Sequence, residues 1–537
     1  MRGYLSLVIK RKLKMNQDCD VVVVGSGVAG LCAAIEASDQ GLSVIILDRF
    51  AGGGASALSG GVVYAGGGTK IQQQANENDS VDNMFNYLKQ EVNDAVTDET
   101  LRDFCEQSSN NIDWLIEQGV PFDATTYDEK TSYPPDGYFL YYSGNELCFP
   151  YIESATPARR GHRTKGPSFT GTVLYNQLRK RVASIDKIKQ INFANVTTLT
   201  QNNEGKITGI NYQQLGTSNG DFFSRMTVKL ANKTTILKPT IGSKLRRGII
   251  AKLSKQPIQS ITAKQGVILA SGGFVFNREM VKKHAPLYSD CQALGENCDG
   301  AGINLAVNAG GTTKFMDRFS AWRFISPPTA MCKGLLVGNN GQRIVNEDLY
   351  GAKTAEHMVN KNQGKGLLIV DSKLIKEIKQ QARPMHIAWH QWLPNRVLLA
   401  TSKKKSDTIE GLAKACKLPP KVLKQTLQTY NHNAENKKDT FAKAEKYVQP
   451  LMQAPYYAID ISINNPNVPC PALSLGGLVV NEQTSMVLNE KGQSIEGLYA
   501  VGRSAVGICS HSYVSGLSLA DCVYSARRAV KNGLKSV

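Results

Sequence analysis

The stretch from Asp20 to Asp48 constrains this chain more than any other. Val21 to Val24 form a continuous apolar run, the pattern of a parallel strand buried on both faces. Gly25, Gly27 and Gly30 follow at the spacing Gly-x-Gly-x-x-Gly, Leu31 to Gln40 has a helical pattern, and Ser43 to Leu47 reads as a second strand ending at Asp48. Strand, glycine turn, helix, strand and acid in this order make a dinucleotide-binding βαβ unit. Gly25 makes the tight turn, Gly27 lets the backbone approach a pyrophosphate, and Gly30 lets the helix pack on the strand. The helix N-terminus then faces the phosphates, and Asp48 is placed to accept from a ribose hydroxyl. Ser26 and Ala29 in the turn, and Arg49 beside the acid, join the expected binding set.

Three later features favour FAD over NAD. Residues 52–68 are rich in glycine and hydroxyls, with Ala55, Ser56, Ser59, Gly60 and Gly61 suited to lie against flavin and pyrophosphate. Residues 266–274, GVILASGGF, are an apolar strand ending in Ala270, Ser271 and Gly272. Residues 497–503, GLYAVGR, are another, ending at Gly502 and Arg503. Strands that end in glycine turns far apart in sequence meet at one ligand in open α/β sheets. Val196, Ser518 and Leu519 complete the cofactor-binding set. All seven His lie at 162 or later. The early flavin loops therefore offer no His for a covalent bond, and the FAD is expected to be noncovalent.

With 537 residues, two or more domains are expected. The 11 Cys are scattered without a Cys-x-x-Cys pair, so neither a metal site nor a disulfide framework is expected, and a reducing, cytoplasmic compartment is favoured. The net charge of +18 is uneven: ten Lys or Arg and no acid lie between Phe222 and Lys264. Three readings stand for 222–264: a solvated insertion, a peripheral contact with the inner membrane face, because Ile236, Leu237, Ile241, Ile249 and Ile250 interleave with the charges, or a nucleic-acid surface. No nucleic-acid motif accompanies the charge, and none is expected as a partner. Residues Met1 to Lys14 are basic with a short apolar patch, and an upstream start codon before Met15 is one reading of them. No run of about 18 apolar residues occurs, so no transmembrane helix is expected.

The order of DVVVVGSGVAG, SALSGG, ASGGF, Cys298-Asp299-Gly300-Ala301-Gly302, GLLVGNNGQRIVNE and GLYAVG resembles the fumarate reductase and 3-ketosteroid dehydrogenase flavoprotein superfamily over nearly the whole chain. The resemblance implies an α/β fold. A discontinuous Rossmann-type FAD-binding domain would occupy 18–312 and 466–530, with an inserted α+β capping domain at 313–465.

On the substrate side the chain departs from the dicarboxylate enzymes of that superfamily. Gly351 stands where they carry a proton-donating Arg, Ala472 and Leu473 where they carry a His pair, and Tyr513 where they carry another Arg. A buried carboxylate needs a charged partner, so dicarboxylate reduction is not expected. Ser510 to Asp521, SHSYVSGLSLAD, resembles the ketosteroid dehydrogenases, most closely their Δ4-(5α) branch, as do PALSLGGL at 471–478 and FISPP at 324–328. Desaturation beside a ketone removes an α-proton and a β-hydride and leaves enolate charge on the carbonyl oxygen. By the resemblance, Tyr513 supplies a phenol to that oxygen, the Gly516 N–H is the candidate second donor, and Ser515 is the candidate proton relay.

The ketosteroid enzymes place a second Tyr on the cap, yet this chain has none between Thr312 and Val337, where Trp322, Phe324 and Ser326 stand. Tyr350, or one of Tyr133, Tyr138, Tyr141 and Tyr142, replaces it, or the chain runs a related enone chemistry. Arg159, Arg160, His162 and Arg163 either steer an anionic group or form a solvated basic turn. Cys509 reads as packing, and His511 as structural or as tuning Tyr513. The expected substrate is a steroid or other cyclic enone, with the electron acceptor open. The expected reaction is flavin-dependent desaturation or reduction of the Δ4 bond. The alternatives are a Δ1-dehydrogenase, another flavin enone oxidoreductase, or a flavin-binding electron carrier without catalysis.

Overall fold

A computed structural model describes residues 17–216, 222–237, 239–295, 298–384, 387 and 389–534. Its main sheet has eight strands. Gln17–Val24 lies at the centre, paired in parallel with Val44–Asp48 on one side and Ile258–Leu269 on the other. Ile188–Asn192 and Ser494–Ala500 extend the parallel set outward. Val21, Val22 and Val23 are fully buried, as a central parallel strand requires. The next strand in sequence lies to one side of Gln17–Val24 and the strand 234 residues further on lies to the other. This strand order creates a switch point, and the glycine turns after Val24 and Leu269 open into the same crevice.

The helix Val28–Asp39 starts three residues before the sequence expectation. Gly27 is extended, and the helix begins directly after it. The helix lies against Leu517–Arg528, where Arg527 Nε donates to Glu36 Oε2 at 2.8 Å and Nη1 to Asn111 Oδ1 at 2.6 Å. This buried network ties Leu517–Arg528 to Val28–Asp39, so residues 513–519 are held over the glycine turn.

A second sheet joins Val62–Tyr64, Gly161–Arg163, Leu140–Tyr141 and Thr126–Tyr127. A third, antiparallel, orders Leu335–Val337, Leu367–Val370, Tyr456–Asp460 and Lys403–Ser406, all between 335 and 460. The GQRIVNE motif sits beside it as a buried ion network. Arg343 contacts Glu347 and Asp439 at 2.6 Å, and Lys443 contacts Glu347 at 2.8 Å. Phe319–Ala321 crosses back to pair with Pro471–Ser474, joining the two halves beside the crevice. The basic stretch 222–264 forms two helices, Phe222–Leu237 and Pro239–Leu253, and then enters the central sheet at Ile258.

Candidate active site

A cavity of about 720 Å³ begins at the glycine turn and runs to Trp322, Phe324, Tyr350 and Leu473. Of the cofactor set, Gly25, Ser26, Gly27, Ala29, Asp48, Arg49, Ala55, Ser56, Ser59, Gly60, Gly61, Val196, Ala270, Ser271, Gly272, Arg503, Ser518 and Leu519 line it. Gly30 and Gly502 stand behind it and serve packing. A Cβ on Gly30 would lie 1.9 Å from the Gly25 carbonyl oxygen, and one on Gly502 would lie 2.9 Å from Cys522 Sγ. Gly25 has φ +108°, and its own Cβ would meet the Ala270 oxygen at 2.5 Å, so only glycine makes this turn. At Gly27 a Cβ would find its nearest protein atom, Ser56 Oγ, at 3.3 Å, and Gly27 lines the cavity.

The residues fit a dinucleotide. Ser271 Oγ and Arg503 Nη1 are buried without a hydrogen-bond partner among the described residues, a donor–acceptor pair waiting for a polar ligand. The N-terminus of Val28–Asp39 opens onto the same space. Asp48 differs in detail from the expectation. Its Oδ2 accepts from Ser26 N and Oγ, both at 2.9 Å, and its Oδ1 from Phe50 N at 2.8 Å, so it braces the turn as well as lining the cavity.

At the far end of the cavity Tyr513, Ser515 and Gly516 come together with Trp322, Phe324, Tyr350 and Leu473. Tyr513 is 8% exposed, and its ring stacks on Trp322 at 5.3 Å. Burial pushes its phenol up, while the nearby Gly516 N–H pulls it back down as a donor to the charged form. Gly516, at φ +93°, caps the helix Leu517–Arg528, so this phenol and amide stand where the helix dipole is positive. Ser515 Oγ accepts from Tyr141 Oη at 3.1 Å, and the Ser515 N–H donates to the Ser143 carbonyl at 3.0 Å. Burial pushes the neighbouring Tyr350 phenol far up, and the nearby Ser515 hydroxyl opposes that shift. Asn145 Oδ1 holds Tyr350 by its backbone N–H at 2.7 Å.

The open position of the second Tyr thus has candidates with distinct places. Tyr350 lines the cavity and reaches Ser515; Tyr141 stands behind Ser515. Tyr133 lines the cavity, with its Oη donating to the Gly60 and Ser168 carbonyls at 2.8 and 2.9 Å. Tyr138 is 39% exposed and Tyr142 lies under Arg159; neither lines the cavity.

The position of the missing Arg is physically closed. A Cβ on Gly351 would lie 2.5 Å from the Phe324 ring, which packs edge-on against Tyr350 at 5.2 Å. The cavity wall is not free of cations, however, as the sequence suggested for the substrate side. Arg323 and Arg503 line it, but Arg323 Nη2 is committed to the Ser462 and Val468 carbonyls at 3.0 and 2.7 Å.

Arg159, Arg160, His162 and Arg163 do not line the cavity. Arg160 makes a two-pronged, fully buried pair with Asp79 at 2.9 and 2.7 Å, Arg163 meets Asp136 at 2.6 Å, and Arg159 pairs with Glu77. Burial pushes His162 down to about 4, and its Nε2 lies 2.8 Å from Thr69 Oγ1. His511 faces Asp94 at 3.1 Å, and burial pushes the Cys509 thiol up beside Asp521. Sequence reasoning missed the outer wall of the cavity, formed by Gln391, Leu393, Pro394, Asn395 and Asn467; no motif marks them. Among the described residues no cluster of His, Cys, Asp and Glu suits a metal, and no helix is long and apolar enough to cross a membrane.

A family model described as FAD binding domain matches residues 20–516. The chain is 34% identical to 3-oxo-5-alpha-steroid 4-dehydrogenase of Comamonas testosteroni, over 91% of this chain and 93% of that protein. Among solved structures it is similar to the 3-ketosteroid Δ4-(5α)-dehydrogenase of Rhodococcus jostii RHA1 in complex with 4-androstene-3,17-dione. The identity is 29%, the TM-score 0.81, and 97% and 98% of the two chains are covered. A 3-ketosteroid Δ1-dehydrogenase of Sterolibacterium denitrificans, 20% identical at a TM-score of 0.67 over 96% and 99% of the chains, shares the fold.

Proposed function

The chain belongs to the FAD binding domain family of flavoproteins, and from that premise we propose that it is an FAD-dependent oxidoreductase acting on the C4–C5 bond of 3-ketosteroids. The carrying observation is that Tyr513 and the Gly516 N–H stand together at a helix N-terminus while Ser515 accepts from the Tyr141 phenol with the Tyr350 phenol close by. This arrangement offers neutral donors to a ketone oxygen and a hydroxyl path for a proton. In this reading residues 18–312 and 466–530 hold the cofactor, and 313–465 cap the substrate.

The residues that would hold FAD are the glycine turn, Asp48, Ser56, Ser271 and Arg503. When bound, FAD supplies the hydride acceptor. Tyr513 Oη and the Gly516 N–H donate to the 3-keto oxygen and stabilise the enolate charge that grows as the C4 proton leaves. The C4 proton is taken up by the Ser515 hydroxyl as Ser515 gives its own proton to the neighbouring phenols and they in turn to water, and the C5 hydrogen leaves as hydride. Trp322, Phe324 and Leu473 exclude water and give an apolar face to the rings. In the reverse direction the same groups return the proton to the enone.

Anaerobic mixing of the holoenzyme with a panel of 3-ketosteroids tests this. Loss of flavin absorbance with a C4–C5 double bond in the product is expected. A C1–C2 double bond would assign the Δ1 reaction, and an unreduced flavin with every ketosteroid would leave only an electron carrier. In the same reading the scattered cysteines favour a reducing cytoplasm, with residues 222–264 as the contact to the inner membrane face.

A further inference from the structure

We infer that the helical hairpin of residues 222–253 docks on an anionic lipid surface through the outward face of its first helix. This rests on the membrane contact just named and not on the reaction. The inner side of the hairpin is accounted for. Val228, Ile249 and Leu253 close a buried cluster with Phe50, Phe193 and Leu215, and the buried Arg246 donates to Asn232 Oδ1 at 2.5 Å across the two helices.

The outer side breaks the usual amphipathic rule, under which solvent-facing positions are polar. Phe222, Phe223, Met226 and Leu230 are 62, 75, 50 and 53% exposed, and their spacing places them on one face of Phe222–Leu237. Ile241 on the second helix is 43% exposed. Of the fifteen large hydrophobic side chains exposed among the described residues, five fall between 222 and 241, so the patch is not a random scatter. A contiguous apolar patch of this kind marks a binding surface.

Charge selects the partner. Arg225 and Lys229 border the stripe, and Lys244, Arg247, Lys252 and Lys255 are exposed beyond it. No acid occurs between 222 and 264, and none of these six cations has a carboxylate partner among the described residues. Aromatic and aliphatic side chains edged by Lys and Arg match the headgroup boundary of an anionic bilayer, where rings enter the interface and cations meet phosphates.

Sedimentation of the FAD-loaded enzyme with vesicles tests the inference. The wild type is expected to bind vesicles containing phosphatidylglycerol, to ignore pure phosphatidylcholine, and to be released by salt. The double variant F222S/F223S should lose about tenfold in binding, and R225S/K229S about fivefold for each charge removed. Both should keep their flavin and turnover, because the face lies outside the cavity. Three results would overturn the inference. The first is a wild type that binds neither vesicle, and the second is F222S/F223S binding as the wild type does. The third is a wild-type dimer in sedimentation velocity that F222S/F223S dissolves, which would assign the face to a second copy of the chain.

Discussion

The Tyr141 phenol donates to the Ser515 hydroxyl at 3.1 Å, across 374 residues of chain. Tyr141 sits on the short strand Leu140–Tyr141 of the second sheet, and Ser515 sits in the turn before the helix Leu517–Arg528. A backbone hydrogen bond from Ser515 to Ser143 locks the same approach. Ser515 therefore has a fixed rotor between two buried phenols, as a proton relay requires.

Ser515→Ala removes the joint of that relay. Turnover of a 3-ketosteroid should fall by about 10² or more. Tyr350→Phe should cost a similar factor, and Tyr141→Phe, which stands behind Ser515, should cost less. The solvent deuterium isotope effect should change in all three. An unchanged isotope effect with unchanged kcat in Ser515→Ala would show that the proton leaves by another route.

Tyr513→Phe should keep fold and FAD, because the ring still stacks on Trp322. Loss of one donor to a developing oxyanion costs about 10²–10³ in rate. The bond strengthens as the enolate forms, so kcat should fall more than substrate affinity. Turnover within about threefold of wild type would remove Tyr513 from the oxyanion role.

Gly27→Ala separates the cofactor's space from the protein's space. The new Cβ has no protein atom closer than 3.3 Å, so the chain should fold with an unchanged circular dichroism spectrum while losing FAD. Gly25→Ala should fail to fold, because its Cβ meets backbone at 2.5 Å in a left-handed conformation. In the wild type, acid precipitation should release all the flavin into the supernatant; flavin in the pellet would reveal a covalent bond.

Glu146 should make stability depend on pH. It is 1% exposed, and burial pushes its carboxyl up to about 7 against an ordinary 4.5, with Gly144 N–H and Arg160 opposing. The folded state therefore binds this proton more tightly than the unfolded state. Its contribution is fully present below 4.5, falls as pH rises, and is lost above about 7. Glu146→Gln keeps the shape without the charge. The difference in unfolding free energy between wild type and Glu146→Gln should shift by on the order of 3 kcal/mol across that window. Parallel stability curves from pH 4 to 8 would contradict the assignment.

The cofactor half was legible because its determinants are local. Gly25, Gly27, Gly30 and Asp48 carry their roles in spacing alone, and the run Tyr513 to Asp521 kept phenol, hydroxyl and amide within four residues of each other. The charge of 222–264 was equally legible, but its outward apolar face was not. Helical phase shows two candidate faces, and only packing on Phe50 and Phe193 decides which one is buried. Arg159 to Arg163 read as a possible anion site, yet tertiary pairing with Glu77, Asp79 and Asp136 consumes their charge.

The sequence by itself determined the dinucleotide fold, the flavin and the loss of the dicarboxylate anchors. The tertiary structure alone decided which tyrosine stands with Ser515, that Phe324 fills the place of the missing Arg, and which residues form the outer wall. The physical reason is reach. A glycine turn is set by neighbours in the chain, whereas a hydrogen bond such as Tyr141 to Ser515 exists only where separate sheets bring distant segments within 3.1 Å.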